Sequence, residues 1–224
     1  MVLSPDLVNL NKTPTAKMEL REVKRLLSLC QFEDELYSNG FLNIAGVDEV
    51  GRGSLAGPMV AAAVILRRDR LFIEKLNDSK KIPRQKRNLI FRKIIKSCSC
   101  WSVAKVSPQV IDKISLQKAN ILVIKKAIKS LRIKPDIILV DALNPNMKSL
   151  IMPIVKGDEL SASIAAASII AKVIRDRLMI KMSRIYPEYG FEFHKGYGTK
   201  YHFKMLAKYG PSKIHRLSFK GVLN

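Results

Sequence analysis

The sequence has few cysteines and no long apolar run. The 224 residues include only three cysteines, and an odd count cannot pair completely within one chain. Reduced thiols are therefore expected rather than a disulfide framework. The longest apolar stretches, such as residues 59–66 and 164–171, are too short to cross a bilayer as a helix. The first ten residues include Asp6 and Asn9 and lack the basic start and apolar run of a secretory signal. We therefore expect a cytoplasmic protein that does not bind membranes.

Acidic residues are also scarce: 19 Asp and Glu face 40 Lys and Arg, which gives a formal net charge of +21. Residues 67–96 carry 12 basic and three acidic side chains, whereas residues 41–66 carry one basic side chain and two acidic ones. Such a charge predicts a polyanionic partner. A non-catalytic protein that binds nucleic acid explains it as well as an enzyme does, so charge identifies only the class of partner.

Short runs rich in Val and Ile alternate with helical periodicity, which predicts an α/β fold with a mixed β-sheet flanked by helices. Strands are predicted at residues 44–50, 59–66, 101–106, 137–140 and 150–155, and helices at 116–131, 160–182 and 200–208. Asp78 or Ser79 is expected to cap a further, basic helix whose first turn contains Pro83. Residues 1–40 are interpreted as a short helical appendage and residues 41–224 as the α/β domain.

Four carboxylates interrupt this basic chain, namely Asp48, Glu49, Asp141 and Asp158. Asp48 and Glu49 are adjacent on an apolar strand, where side chains normally alternate between faces, and we expect Gly51 to supply the irregularity that lets them converge. Asp141 ends another apolar run. Taken singly, Asp141 could be a turn residue and Asp158 the N-cap of the long alanine-rich helix.

Burying Asp48 and Glu49 among apolar neighbours requires a cation, and Arg52 is one candidate. Four converging carboxylates favour another, because hard oxygen ligands suit Mg²⁺ or Mn²⁺. Two such ions about 4 Å apart can activate water and stabilise the leaving oxygen of a phosphodiester. The cluster therefore predicts metal-dependent phosphodiester hydrolysis.

Other segments have features of a surface that binds nucleic acid. Without side chains at Gly51 and Gly53, the backbone could approach a sugar closely enough to sense a 2′-hydroxyl. Taken alone, a tight hairpin that needs glycine is the better explanation of these residues. Ser79, Lys80 and Lys81 offer a hydroxyl and two cations to a phosphate, or form a solvated helix cap. The three histidines, His194, His202 and His215, do not combine with cysteines at zinc-site spacing and are interpreted as ordinary core or surface residues.

Several short motifs occur in a fixed order along the chain. They are Gly46–Gly53, Leu55–Pro58, Asn77–Lys81, Val140–Asp141, Lys156–Asp158, Ile164–Ser168, Ala171–Val173, Arg175–Asp176, His194–Tyr197, Tyr209–Pro211 and His215–Arg216. Together they closely resemble the signature of the ribonuclease HII family over residues 41–224. Ser54 stands where that family commonly has proline, and Ala142 stands where glycine often follows the aspartate.

The resemblance implies a ribonuclease H-like fold whose four catalytic, metal-binding carboxylates fall on Asp48, Glu49, Asp141 and Asp158. It also implies that the backbone of Gly51, Arg52 and Gly53 recognises the 2′-hydroxyl 5′ of the cut, and that Tyr197 stacks on the following deoxyribose. Lys80 and Lys81 would hold phosphates.

A monomeric endoribonuclease with two Mg²⁺ or Mn²⁺ ions is therefore expected. The resemblance implies that it cuts the RNA strand of RNA/DNA hybrids and single ribonucleotides embedded in duplex DNA, leaving 3′-hydroxyl and 5′-phosphate ends. The implied role is ribonucleotide repair.

Overall fold

The computed structural model describes residues 19–223 and contains a five-stranded sheet with helices on both faces. The strands are β1 (Ile44–Val50), β2 (Met59–Leu66), β3 (Cys98–Val106), β4 (Ile137–Asp141) and β5 (Ile151–Ile154). The helices are α1 (Leu20–Leu29), α2 (Gln31–Ser38), α3 (Arg84–Ser97), α4 (Pro108–Ile114), α5 (Leu116–Lys129), α6 (Gly157–Leu160), α7 (Ala162–Ile185), α8 (Phe191–His194) and α9 (Lys200–Tyr209). No helix within this part of the chain is long and apolar enough to span a membrane.

The strand order is β3-β2-β1-β4-β5, and the sheet is mixed as the sequence predicts. β1 pairs antiparallel with β2 and parallel with β4, while β2–β3 is antiparallel and β4–β5 is parallel. All of β2 is buried, which is why its sequence is a continuous apolar run rather than an alternating one. Helices α3 and α7 cover one face of the sheet, and α5 covers the other.

The N-terminal helices α1 and α2 pack onto the α7 face of the sheet. Leu26 and Cys30 are fully buried, and both belong to the same apolar cluster as Ile44 of β1 and Ile164 of α7. The described part of the predicted appendage is thus helical and shares the core of the sheet. Residues 1–18 of that predicted segment lie outside the described residues, and a domain boundary at residue 40 stays a prediction.

Helix α7 lies unusually close to β1. A Cβ atom added to Gly46 would lie 2.0 Å from the backbone carbonyl carbon of Ser163 and 2.5 Å from the backbone nitrogen of Ile164. The alanines of α7 are buried against the sheet, as their small size predicts. Strand and helix therefore meet backbone to backbone at Gly46.

Two predicted helix starts are wrong, and one is confirmed. Asp78 and Ser79 do not cap α3, which begins at Arg84 directly after Pro83. Asp158 is not the N-cap of the long helix, because it lies in the separate single turn α6, and the Ser161 side chain caps α7 by accepting from the Ile164 N–H. Helix α9 begins at Lys200 as predicted, and the Thr199 side chain caps it by accepting from the His202 N–H.

Candidate active site

Two of the predicted carboxylates lie at the same level on neighbouring parallel strands. Val47 of β1 is paired with Val140 of β4, so Asp48 and Asp141 follow side by side at the carboxyl ends of the two strands. Val47 and Val140 belong to the apolar cluster on the α5 face. Because strand side chains alternate, Asp48 and Asp141 are directed to the opposite face, toward α7.

Asp48 is a buried carboxylate surrounded by like charges. Only 7% of it is exposed, and its Oδ1 accepts a hydrogen bond of 2.7 Å from the Glu49 N–H. Burial first, and then the charges of Glu49 and Asp141, raise the pKa of Asp48 well above its usual range. The surroundings of Asp48 therefore disfavour its ionised form.

Glu49 lies on the other face of β1. The strand stays regular through Val50, so the convergence expected from an irregularity at Gly51 is wrong. Glu49 Oε1 accepts a hydrogen bond of 3.3 Å from the Asn120 side chain of α5. Burial and the charge of Asp141 raise the pKa of Glu49, and Arg52 opposes them. The Arg52 guanidinium is exposed and joins none of the ion pairs found within residues 19–223.

The short helix α6 places Asp158 beside Asp141. The Gly157 N–H donates to Asp141 Oδ1 at 2.8 Å, which ties the start of α6 to the end of β4. Burial raises the pKa of Asp158, and the charges of Asp78 and Asp141 add to this effect. Lys80 counteracts it from the surface, with Nζ 3.4 Å from Asp158 Oδ2.

The chemistry of this donor set fits a divalent cation. Its members offer carboxylate oxygens, the ligands that Mg²⁺ and Mn²⁺ prefer, and three of them have pKa values raised by burial and by each other's charge. As the side chains lie, no three acidic, histidine or cysteine residues within 19–223 stand close enough together to hold an ion. The backbone thus places the four carboxylates near the carboxyl ends of the inner strands β1 and β4 and in the turn α6, and a shared ion requires side-chain rotation.

The glycine loop, which we define as residues 51–57, connects β1 to β2 and is held by two buried arginines. Arg216 Nη1 donates to the Arg52 carbonyl at 2.8 Å, and its Nη2 donates to the Gly57 carbonyl at 3.0 Å. Arg175 Nη2 donates to the Ala56 carbonyl at 3.2 Å. A Cβ at Gly51 would lie 2.2 Å from Arg175 Nε, so glycine is required there for close approach.

Tyr197 is adjacent to the glycine loop. It forms an isolated β-bridge with Ser54, and Leu55 N donates to the Gly196 carbonyl at 2.8 Å. The Lys172 ammonium lies 5.6 Å, and the Arg175 guanidinium 5.4 Å, from the centroid of the Tyr197 ring. The half-buried ring therefore lies beside two cations and the predicted sugar-sensing backbone.

The three predicted phosphate-binding residues have different environments. Lys80 and Lys81 are exposed, and Lys81 Nζ pairs with Glu159 at 2.9 Å. Ser79 is only 4% exposed, and its hydroxyl oxygen accepts from the Ser168 hydroxyl at 2.9 Å. The lysines are thus available at the surface, while Ser79 is turned toward α7.

Several residues that shape the site were not predicted to do so. Glu33 of α2 is fully buried, and its Oε1 accepts from the Ser161 hydroxyl at 2.6 Å and from the Ser163 N–H at 2.8 Å, just after the turn that carries Asp158. Asn120 binds Glu49, and the two buried arginines support the glycine loop. Local sequence gives no signal for Glu33 or Asn120, whereas Arg175 and Arg216 belong to motifs noted above without an assigned role.

Comparison with known proteins agrees with this geometry. The family profile described as Ribonuclease HII matches residues 45–222. A Ribonuclease HII from Caldicellulosiruptor bescii is 50% identical over 87% of this chain and 95% of its own length. Ribonuclease H2 from Pyrococcus horikoshii OT3 has a similar fold, with a TM-score of 0.71 and 29% identity over 80% of this chain and 95% of that one.

A second solved structure, RNase HII from Archaeoglobus fulgidus in complex with PCNA, matches with a TM-score of 0.68 and 28% identity over 80% of this chain and 96% of that one. The ribonuclease H-like fold expected from the motifs is therefore confirmed. Sequence profile, curated relative and fold agree over most of the chain, and the protein is a nuclease that belongs to the ribonuclease HII family.

Proposed function

We propose that this protein is an endoribonuclease that cuts the RNA strand of RNA/DNA hybrids and cuts 5′ of single ribonucleotides embedded in duplex DNA. The products carry 3′-hydroxyl and 5′-phosphate ends. One observation carries the proposal: a buried, electrostatically unsatisfied Asp48 lies among further carboxylates in a chain whose net charge is +21. An anion-binding protein without catalysis gains nothing from such a cluster, since it repels the phosphates that the basic surface attracts.

The proposed metal ligands are Asp48, Glu49, Asp141 and Asp158, and the proposed cofactors are two Mg²⁺ or Mn²⁺ ions. When bound, these ions supply an activated water and stabilise the leaving oxygen of the phosphodiester. The protein prepares the ligands in two ways. The Gly157 N–H fixes the orientation of Asp141, and the low exposure of Asp48 limits the competition of bulk water for its oxygens.

Selection of the ribonucleotide falls to the glycine loop and Tyr197. Arg216 and Arg175 hold the carbonyls of the loop, so the backbone of Gly51, Arg52 and Gly53 is in place before a 2′-hydroxyl arrives. The Tyr197 ring is proposed to stack on the deoxyribose that follows the ribonucleotide. Lys80, Lys81 and, less directly, the buried Ser79 are proposed to orient the phosphates.

We propose that the protein works as a monomer in the cytoplasm, on hybrids and on ribonucleotides left in DNA during replication. The exposed lysines and arginines of the chain attract the duplex, and salt is expected to weaken this attraction. Cleavage beside an isolated ribonucleotide would begin its excision repair.

The test uses a DNA duplex with one embedded ribonucleotide, the wild type and Asp48→Asn. We expect Mg²⁺- or Mn²⁺-dependent scission 5′ of the ribonucleotide by the wild type, and a loss of about 10³-fold or more in the variant with little change in duplex affinity. Binding without scission by both proteins would contradict the enzyme and support a binding protein. Full activity of the wild type in EDTA would contradict the role of the metals.

A second test concerns Tyr197. Tyr197→Ala is expected to reduce cutting at a ribonucleotide–deoxyribonucleotide junction by about tenfold or more, while binding to an all-DNA duplex changes much less. Tyr197→Phe is the matched control, because it keeps the ring. Equal losses of junction cutting and of all-DNA binding would show that Tyr197 serves general affinity instead.

A further inference from the structure

Two buried histidines form one hydrogen-bonded unit behind Tyr197. His202 of α9 is fully buried, and His215 of the C-terminal segment is 2% exposed. Their Nε2 atoms lie 3.0 Å apart. A direct contact between two ring nitrogens requires one to donate and the other to accept, so the two rings cannot have the same protonation pattern.

The two ends of this unit determine which ring donates. The Ser212 N–H lies 2.8 Å from His215 Nδ1, and a backbone N–H can only donate. His202 Nδ1 lies 2.9 Å from the Tyr197 carbonyl oxygen, which can only accept. His215 therefore carries its proton on Nε2 and donates to His202 Nε2, while His202 carries its proton on Nδ1 and donates to Tyr197. The Ser212 hydroxyl, also 2.8 Å from His215 Nδ1, is the donor in that contact.

An extra proton on either ring breaks this arrangement. It would set N–H against N–H between the rings, or between His215 and the Ser212 backbone. The titratable groups packed against the pair are His194, whose ring stacks on His202 with 4.4 Å between centroids, and Tyr189, whose centroid lies 4.9 Å from that of His215. Burial lowers the pKa of His202 and that of His215 to about 4, so both rings are neutral at physiological pH.

We propose that His202 and His215 are positioning residues for ribonucleotide selection, a neutral imidazole pair of fixed tautomers that holds the Tyr197 backbone beside the glycine loop. The proposal rests on the stacking role proposed above for Tyr197. The same pair is joined to the loop at its other end, since His215 forms a β-bridge with Ala56 and the next residue, Arg216, binds the Arg52 carbonyl. Tyr197 and the glycine loop are therefore held by one continuous set of contacts.

The Tyr197 carbonyl has one other donor, the Thr199 N–H at 2.9 Å. Loss of His202 is therefore expected to loosen Tyr197 rather than release it. His202→Ala removes one hydrogen bond to the Tyr197 carbonyl. For cutting at the ribonucleotide–deoxyribonucleotide junction we expect kcat/KM to fall by about fivefold to tenfold.

The first measurement is ¹⁵N NMR of the imidazoles in the full-length protein at pH 7. We expect His202 in the Nδ1–H form and His215 in the Nε2–H form, with a change in the Tyr197 carbonyl ¹³C shift in His202→Ala. The same tautomer in both rings, an imidazolium, or an unchanged Tyr197 carbonyl would overturn the proposal. This measurement does not depend on cleavage, so it distinguishes failure of this inference from failure of the proposed function.

The second measurement is a double-mutant cycle on the single-ribonucleotide duplex. His202→Ala is expected to lower kcat/KM in the wild type but to have no further effect in Tyr197→Ala, because it acts through Tyr197. His202→Asn, whose amide can donate from the Nδ1 position, is expected to recover most of the loss. Met205→Ala, a buried change on the same helix, is the matched control and should show no coupling to Tyr197. Equal losses in both backgrounds, or an asparagine variant no better than alanine, would overturn the proposal.

Discussion

Replacing Asp48 with asparagine is expected to stabilise the metal-free protein while abolishing cleavage. Asp48 is 7% exposed, and burial together with the charges of Glu49 and Asp141 disfavours its ionised form. Asparagine keeps the shape and an oxygen that can accept from the Glu49 N–H, and it removes the charge. We expect a gain of about 1 to 3 kcal/mol in the free energy of unfolding at neutral pH, because removing the charge relieves its desolvation and its repulsion by Glu49 and Asp141.

The assay is urea unfolding of both proteins in EDTA and again with excess Mg²⁺. A ligand that binds only the folded state at 100 times its Kd adds about 2.7 kcal/mol, so Mg²⁺ should stabilise the wild type and leave the variant almost unchanged. The difference in free energy of unfolding between variant and wild type should therefore shrink or change sign when the metal is added. A variant less stable than the wild type in EDTA would refute the reasoning, because it would mean that the carboxylate is structurally satisfied without a cation.

Three further predictions follow from single contacts. Glu33→Ala should cost about 3 kcal/mol in urea unfolding, because the Ser161 hydroxyl and the Ser163 N–H lose their acceptor. Glu33→Gln keeps an oxygen and should cost less than about 1 kcal/mol, so equal costs would contradict the role of Glu33 as acceptor at the start of α7. Ala142 has a φ of 49°, so Ala142→Gly should gain about 1 kcal/mol, seen as a higher Tm, and a lower Tm would exclude strain there. The folded pKa of about 4 for His202 and His215 lies below the unfolded value of 6.5, so their contribution to the free energy of unfolding is complete above pH 6.5 and is lost as the pH falls toward 4, by about 1.4 kcal/mol per pH unit for each histidine. In the His202→Asn, His215→Gln double variant the free energy of unfolding should therefore fall less steeply with decreasing pH than in the wild type. Identical slopes in the two proteins would contradict the neutral pair.

Much of the sheet could be predicted because β2 and β4 are apolar runs with clear ends and β1 is apolar as far as Asp48. Asp48 and Asp141 stand at or near the carboxyl ends of two such runs, which is sufficient to predict that they meet once the strands are paired in parallel. The departure at Ala142 is also visible in the sequence, and the left-handed backbone there explains why glycine suits that position.

Contacts between distant segments could not be predicted in this way. Glu33 and Ser161 are 128 residues apart, and Arg216 and the Arg52 carbonyl are 164 apart, so neither contact leaves a local pattern. The cap predicted at Ser79 is wrong for a related reason. Its hydroxyl is engaged by Ser168, 89 residues away, and the helix begins only after Pro83.

The backbone-to-backbone contact between β1 and α7 at Gly46 affects which amino-acid substitutions the protein can accept during evolution. With no side chain between strand and helix, their separation depends on bond lengths and van der Waals radii, which amino-acid replacement elsewhere cannot alter. Asp48 lies two residues further along the same strand, on the same face. Substitutions elsewhere in the hydrophobic core therefore have little effect on the distance between the Asp48 carboxylate and α7. A redesign of that core should keep Gly46.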